Sequence, residues 1–204
     1  MKKALPKIYI LLTCALLVFN ACSDDTNEQA AGGGGGTTPY NDTYKLNLRD
    51  TGPAGGLIFY INPNADKDGW KYLEAAPVGA EAVNKLWSSS TGSVGVTNGA
   101  IGNGKSSTAK IVAWLNGKSE SDRAAQICDG STFGSFTDWF LPSSSELTTM
   151  YQVLKQNGVG DFSGTYWSSS ELNDVQAMRR NFDDGTQGNV NKNTSHKVRP
   201  VRCF

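Results

Sequence analysis

Apolar and polar residues follow one another in a way that predicts a strand hairpin near the start of the folded region. Residues 57–61 form an apolar run that follows two glycines and ends at Asn-Pro, which is typical of a buried strand. Residues 70–74 alternate between apolar and polar, as a half-buried strand does. Because Asp68-Gly69 between them is a turn signal, the two segments predict an N-terminal hairpin.

The middle of the chain carries helical patterns. A Ser- and Gly-rich loop is predicted at 88–105, followed by two short helices at 108–115 and 121–128. The strongest helical pattern is at 143–157, which opens with an S-x-x-E capping box. Its apolar residues recur at helical spacing: Leu147, Met150, Tyr151 and Leu154.

Strand patterns return towards the C-terminus, at 166–170, 175–182 and 197–204, with a turn at 183–185. Strands at both ends with two to three helices between them predict an α+β fold. We expect a mixed, mostly antiparallel sheet.

The first residues have the pattern of an export signal. Lys2, Lys3 and Lys7 precede a short apolar block at 8–19, which is too short to span a membrane. A small residue and then Cys22 follow this block, as in bacterial lipoproteins whose cysteine is acylated. The alternative is a plain secretory signal with Cys22 as an ordinary thiol. Acylation predicts a lipid-anchored protein of the bacterial cell envelope, at the outer membrane or cell surface.

Composition divides the chain into three parts. Residues 1–21 are the predicted lipoprotein signal peptide, and 22–45 form a polar tether that contains the glycine run 32–36. Residues 46–204 have the length of one domain.

Removing residues 1–21 removes three of 19 basic residues and leaves 16 against 19 acidic ones. This near balance argues against nucleic acid as a partner and leaves the N-terminal lipid as the expected membrane contact.

Cysteine usage predicts one disulfide. Cys14 leaves with the signal and Cys22 takes the lipid, so Cys128 and Cys203 remain as a pair in a compartment that permits disulfides. The alternative is two separately buried thiols.

Distinctive residues occur in six ordered blocks, at 50–60, 70–77, 101–105, 138–143, 166–169 and 198–202. They carry a resemblance to a family of exported bacterial lipoproteins with a C-type-lectin-like fold, also known as the C-terminal domain of a collagen-like adhesin. The resemblance implies that the first and last strands pair and that a disulfide joins a helix to the last strand. Calcium-dependent lectins of this fold carry Trp-Asn-Asp where this chain has Trp167-Ser168-Ser169, so we expect no calcium-dependent sugar site.

Two further motifs have structural interpretations. Residues 99–106 satisfy the phosphate-binding pattern G-x-x-x-x-G-K-S, but the required buried strand does not precede them, so we expect no nucleotide. Trp139 and Trp167 are candidates for a sugar-stacking platform, although tryptophans in such blocks more often fill the core.

Catalytic and cofactor signals are sparse. His196 is the single histidine and no G-x-S-x-G elbow is present, so we expect no enzyme activity and no cofactor or metal. Carboxylate-based glycoside hydrolysis and a purely structural envelope role remain alternatives, because carboxylate separation is spatial.

The polar segment 173–197 is the predicted ligand surface, since amides and guanidinium groups on rigid strands suit recognition. The candidates are Arg179, Arg180, Asp183, Asp184, Asn189, Asn191 and Lys192. The alternative is a set of solvated strand edges, with the adjacent aspartates in a turn. The sequence thus predicts a binding module, an adhesin for a glycan or protein ligand.

Overall fold

The computed structural model describes residues 40–204. The predicted signal peptide, Cys22 and the tether up to residue 39 lie outside the described residues. Residues 40–46 already contact the domain, because the Tyr72 hydroxyl donates to Asp42 at 2.7 Å and accepts from the backbone N–H of Leu46 at 3.0 Å. Among the described residues, no helix combines the length and the apolar character that crossing a bilayer requires.

The described part of the chain is a mixed α+β structure with two sheets. Its elements are β1 (Leu57–Ile61), α1 (Ala65–Asp68), β2 (Tyr72–Ala75), β3 (Ala82–Lys85), α2 (Gly104–Gly117), α3 (Ala124–Asp129), α4 (Ser144–Val153), β4 (Thr165–Glu171), β5 (Gln176–Asn181), β6 (Gln187–Asn191), β7 (His196–Val198) and β8 (Val201–Cys203). Short 3-10 helices lie at Val78–Ala80 and Lys155–Asn157. The α+β class predicted from the sequence is confirmed.

The smaller sheet has the strand order β1-β2-β8, all antiparallel. β2 lies between the other two strands and all four of its residues are buried. The expectation that the first and last strands pair with each other is therefore wrong. The last strand pairs with the second, as in Leu73 opposite Cys203.

The larger sheet has the order β3-β7-β4-β5-β6. β4 and β7 are parallel, and the other neighbours are antiparallel. The single strand predicted at 197–204 is in fact β7 and β8, which belong to different sheets. The break falls at Arg199-Pro200, where proline has no N–H to donate to a ladder and the buried Arg199 guanidinium binds Glu81 at 2.8 Å.

The helices follow the predicted order. The capping box of α4 is confirmed, because the Ser143 N–H donates to Glu146 Oε2 at 2.7 Å and the Glu146 N–H donates to Ser143 Oγ at 3.2 Å. Strands β3 and β6 were not predicted, since neither shows an apolar alternation strong enough to be read from the sequence.

Four hydrophobic clusters form the core of residues 40–204, and two of them are much larger than the others. One of these two contains Phe59, Leu147, Tyr166 and Cys203, and the other contains Cys128, Trp167 and residues of α2 and α3. The predicted bond between Cys128 and Cys203 is not formed. Cys128 is a free and fully buried thiol, in the opposite cluster from Cys203.

Candidate functional site

The loop at 88–91 forms an arch over the open end of the β5–β6 hairpin. On one side the N–H of Ser88 donates to the carbonyl of Lys192 at 3.1 Å, and on the other the N–H of Gly92 donates to the carbonyl of Asp174 at 3.0 Å. The arch is therefore fixed to the residues that flank β5 and β6 on both sides of the hairpin's open end. The sequence predicted only a loop here, and its run of three serines was the sole local signal.

A carboxylate outside the arch holds its backbone in place. Glu120 accepts hydrogen bonds from the N–H groups of Ser89 and Ser90 at 2.7 and 2.8 Å and from the Ser88 hydroxyl at 2.9 Å. It also pairs with Arg123 Nε at 2.6 Å. Burial by itself would raise the pKa of Glu120, but these bonds outweigh it and lower the pKa to about 2. The arch is thus held by an ionised carboxylate at physiological pH.

A cleft of about 270 Å³ lies beneath the arch. Its lining includes Thr91, Val175, Asn191 and Asn193. In the part of the chain that the structure describes, the side chains of Thr91, Asn191 and Asn193 make no hydrogen bond. Val175 adds an apolar surface that is 46% exposed. The cleft therefore presents a hydroxyl, two amides and an aliphatic group to a ligand, which is a typical combination in binding sites.

The floor of the cleft is built by Lys192, which is only 2% exposed. Its ammonium donates to the carbonyl of Gly92 at 2.9 Å and to Glu171 Oε2 at 2.8 Å, and it lies 4.6 Å from the Trp87 ring centre. Burial would raise the pKa of Glu171, but bonds from Lys192, Ser93 and backbone N–H groups lower it. The structure thus places Lys192 in a buried ion pair, instead of on the exposed surface that the sequence predicted.

A row of amide side chains leads along β6 into the cleft. Gln187, Asn189 and Asn191 alternate with half-buried residues, so all three project from one face, and all three are exposed. Asn189 Nδ2 donates across the strands to Gln176 Oε1 at 2.8 Å. Asn191 belongs both to this amide row and to the cleft lining. The two predicted asparagines are therefore brought together.

The two predicted arginines are not brought together. They are neighbours on β5, so their side chains point to opposite faces of the sheet. Arg180 lies against α4, where it donates to Thr148 Oγ1 at 2.9 Å and covers the Tyr151 ring at 5.2 Å. Arg179 lies on the other face and donates to Thr186 Oγ1 at 3.3 Å. The two side chains therefore do not form one surface, and both are engaged within the protein.

The predicted aspartates belong to the β5–β6 turn. Asp183 accepts from the Gly164 N–H at 3.0 Å, and Asp184 accepts from the N–H and hydroxyl of Thr186, both at 2.8 Å. The Asp184 bonds are local, as in a turn, whereas the Asp183 bond joins the turn to Gly164, just before β4. No group of three or more His, Cys, Asp or Glu side chains positioned for a metal ion occurs within residues 40–204.

The phosphate-binding pattern at 99–106 is occupied by a side chain of the protein itself. Glu146 Oε1 accepts from the N–H groups of Gly102 and Gly104 at 2.8 and 3.3 Å, at the start of α2. Burial raises the pKa of Glu146 to about 7, although its hydrogen bonds act in the opposite direction. The position that an anion would take at this helix start is therefore filled by Glu146.

The candidate stacking residues are part of the core, and the candidate catalytic histidine packs against it. Trp139 and Trp167 are 2% and 0% exposed, which confirms the core interpretation over the sugar platform. His196 packs on the Trp167 ring with a centre-to-centre distance of 4.6 Å. Burial, with a contribution from Arg179, lowers the pKa of His196. A half-buried neutral imidazole in this position contributes to packing.

The fold has a counterpart among solved structures, although no curated protein matches the chain. The crystal structure of a fimbrial protein from Bacteroides ovatus ATCC 8483 is similar, with a TM-score of 0.51 and 14% sequence identity. The similarity covers 73% of this chain and 44% of that protein, so this chain spans less than half of its length. At this identity the similarity shows the fold alone.

The family is established by a match over most of the described domain. Residues 86–202 match the family model of the Lcl C-terminal domain, and this span is more than half of the chain. It includes the arch, the cleft and the amide row, and it contains four of the six blocks that carried the resemblance in the sequence. The chain belongs to the Lcl C-terminal domain family.

Proposed function

We propose that this protein is an exported binding module of the bacterial cell envelope, with an adhesin role, and that its ligand binds in the cleft under the 88–91 arch. The observation that carries the proposal is the cleft itself. The side chains of Thr91, Asn191 and Asn193 line it and have free hydrogen-bonding capacity. Glu120 fixes the arch above them, and the Lys192–Glu171 pair fixes the floor. A rigid site loses little conformational entropy on binding, which favours affinity.

The likenesses to other proteins support this role. Membership of the Lcl C-terminal domain family agrees with a surface module, and the fimbrial nature of the Bacteroides ovatus protein of similar fold points to the same setting. We extend the proposal to a C-type-lectin-like fold that binds without calcium.

We also propose that the lipid on Cys22 anchors the protein. If Cys22→Ser leaves the protein in the membrane fraction, lipidation is not the main attachment.

We propose binding rather than catalysis because the buried carboxylates of the domain are used to hold backbone. Glu146, Glu171 and Glu120 each accept at least two backbone N–H groups, and Glu74 accepts those of Ala54 and Gly56. A hydrolase of the two-carboxylate type needs acids that face substrate. These acids face their own loops.

The proposal is tested with the full-length chain in detergent on an array of glycans and extracellular host proteins. The variant Asn193→Ala, in the cleft, should lower the signal of every ligand that wild type retains. The matched control is Gln156→Ala, an exposed amide after α4 that lies outside both the cleft and the amide row. A ligand whose binding is unaffected by Asn193→Ala would move the site away from the cleft, and an empty array would count against a binding module.

A further inference from the structure

The charged groups that hold the arch and the floor of the cleft are paired within the protein. The ammonium of Lys192 is 2.8 Å from Glu171, and the carboxylate of Glu120 is 2.6 Å from Arg123 Nε. Lys192 is the one charged residue that lines the cleft in residues 40–204. A ligand group with a full charge would lose hydration on entry and find no free countercharge. The electrostatics of the cleft therefore favour an uncharged ligand.

The free groups of the cleft both donate and accept hydrogen bonds. The Thr91 hydroxyl can do either, and the amides of Asn191 and Asn193 each offer an N–H₂ donor and a carbonyl acceptor. Sugar hydroxyls have the same dual capacity. Val175 provides an aliphatic contact of the kind that the C–H face of a sugar ring needs.

The amide row extends this chemistry beyond the cleft. Side chains two positions apart on a strand are separated by about 6.6 Å, so the row from Gln187 to Asn191 spans about 13 Å. Gln187 is engaged by Arg180 and Thr148, whereas the Asn189 carbonyl and the whole Asn191 amide are free within the described residues. The polar path is thus longer than one sugar ring and runs directly into the cleft.

We propose that the ligand is a neutral carbohydrate chain, with one unit held under the arch and the following units lying along the amide row. This inference rests on the proposed function and specifies the ligand class of the same site. It assigns Thr91 and Asn193 to the unit in the cleft and Asn189 to the units outside it. Asn191 contacts both.

The test is calorimetric titration of the full-length chain in detergent with neutral oligosaccharides of increasing length, built from glucose, mannose or N-acetylglucosamine, and with a heparin hexasaccharide. For at least one neutral series, affinity should rise with length and stay constant from low to molar salt. Thr91→Val and Asn193→Ala should each weaken binding roughly two- to tenfold at every length, the value of one hydrogen bond.

The variant Asn189→Ala separates the amide row from the cleft. It should weaken binding of the longer oligosaccharides by a similar factor and leave the shortest ligand unaffected, while Gln156→Ala changes neither. Binding of heparin alone, with strong salt dependence, would overturn the neutral ligand and leave the binding module intact. Binding of proteins but of no oligosaccharide would likewise overturn the carbohydrate ligand and leave the binding module intact. Absence of any ligand, on this panel and on the array, would overturn both proposals.

Discussion

Two loops of this domain are built with the same device and reach opposite results. In the loop at 99–104 and in the arch at 88–91, a glutamate side chain accepts backbone N–H groups that have no partner in a helix or strand. Glu146 projects into the first loop and is fully buried there. Glu120 approaches the arch from outside, beside Arg123, and leaves about 270 Å³ open beneath it.

The difference shows how the position of a carboxylate leaves a polar loop filled or leaves space beside it. When the carboxylate occupies the point where donors converge, the loop is closed to ligands, and burial raises the pKa of Glu146 to about 7. When it lies behind the donors, the pKa of Glu120 falls to about 2 and the opposite side of the loop stays available. The phosphate-binding pattern at 99–106 is therefore a structural element, and the serine-rich arch is the candidate site.

The largest expected effect concerns the floor of the open cleft. Lys192→Met should lower the free energy of unfolding by about 3–5 kcal/mol, because it leaves Glu171 buried without its cation. The matched control Lys110→Met, on an exposed position of α2, should change it by less than about 0.5 kcal/mol. Denaturant unfolding measures both. A stable Lys192→Met protein that has lost its ligand would show that Lys192 contacts ligand, as the sequence predicted.

The pH dependence of stability should distinguish the closed loop from the arch. The pKa of Glu146 is raised in the folded state from an ordinary 4.5 to about 7, so its contribution is present below pH 4.5 and is lost as pH rises through 7. The full change is on the order of 3 kcal/mol. The pKa of Glu120 is lowered in the folded state, so its contribution to stability depends on pH in the opposite direction. That contribution is present above about pH 4.5 and is lost as pH falls towards 2.

The experiment compares wild type with Glu146→Gln across this range by denaturant unfolding. Between pH 5 and 8, the difference between the two proteins isolates Glu146 from Glu74, whose raised pKa acts in the same direction, and from His196, whose lowered pKa acts against it. Parallel pH curves for the two proteins would show that Glu146 does not titrate in this range.

A smaller effect is expected from filling the closed loop. In Gly104→Ala the added methyl group would overlap a Glu146 carboxylate oxygen and the Phe140 ring, which should destabilise the fold by about 1–3 kcal/mol. The control lies in the same helix. At Gly117 no atom is close to the added group, so Gly117→Ala should be neutral or stabilise the helix by up to about 1 kcal/mol. Equal effects of the two substitutions on the melting temperature would show that the loop tolerates more volume than its packing indicates.

The sequence predicted the elements that are stabilised locally. β1 has the predicted bounds, and α4 begins at its capping box, because an apolar run between turn signals and a reciprocal cap are both local. β6 was missed because Gln187–Asn191 has almost no apolar residues, and its strand conformation depends on pairing with β5. A strand whose bounds are set by pairing with another strand cannot be recognised from the hydrophobic periodicity of its own sequence.

The candidate site was predicted in part for the same reason. Asn189 and Asn191 were found because the polar, amide-rich segment 173–197 is visible in the sequence. Lys192 was assigned to the surface because an isolated lysine is normally exposed, and its partners Glu171 and Gly92 lie 21 and 100 positions away. The Cys128–Cys203 bond was expected from counting thiols, but the two residues pack in different clusters. Long-range packing, which local sequence does not show, explains why Lys192 and the cysteine pair were assigned wrongly.

The smallest expected effect is the one that best separates an open site from a closed one. Thr91→Val and Asn193→Ala remove polar groups that are unpaired in the folded state, so each should change the free energy of unfolding by no more than about 0.5 kcal/mol. Ser143→Ala, beside the closed loop, removes the hydroxyl that caps α4 and donates to the Ala100 carbonyl, which should cost about 1 kcal/mol or more. If the two cleft substitutions destabilise the fold as much as Ser143→Ala does, their side chains are engaged within the protein and the cleft is a structural part of the arch. If they leave stability unchanged and weaken ligand binding, the unpaired polar groups of the cleft serve to bind the ligand.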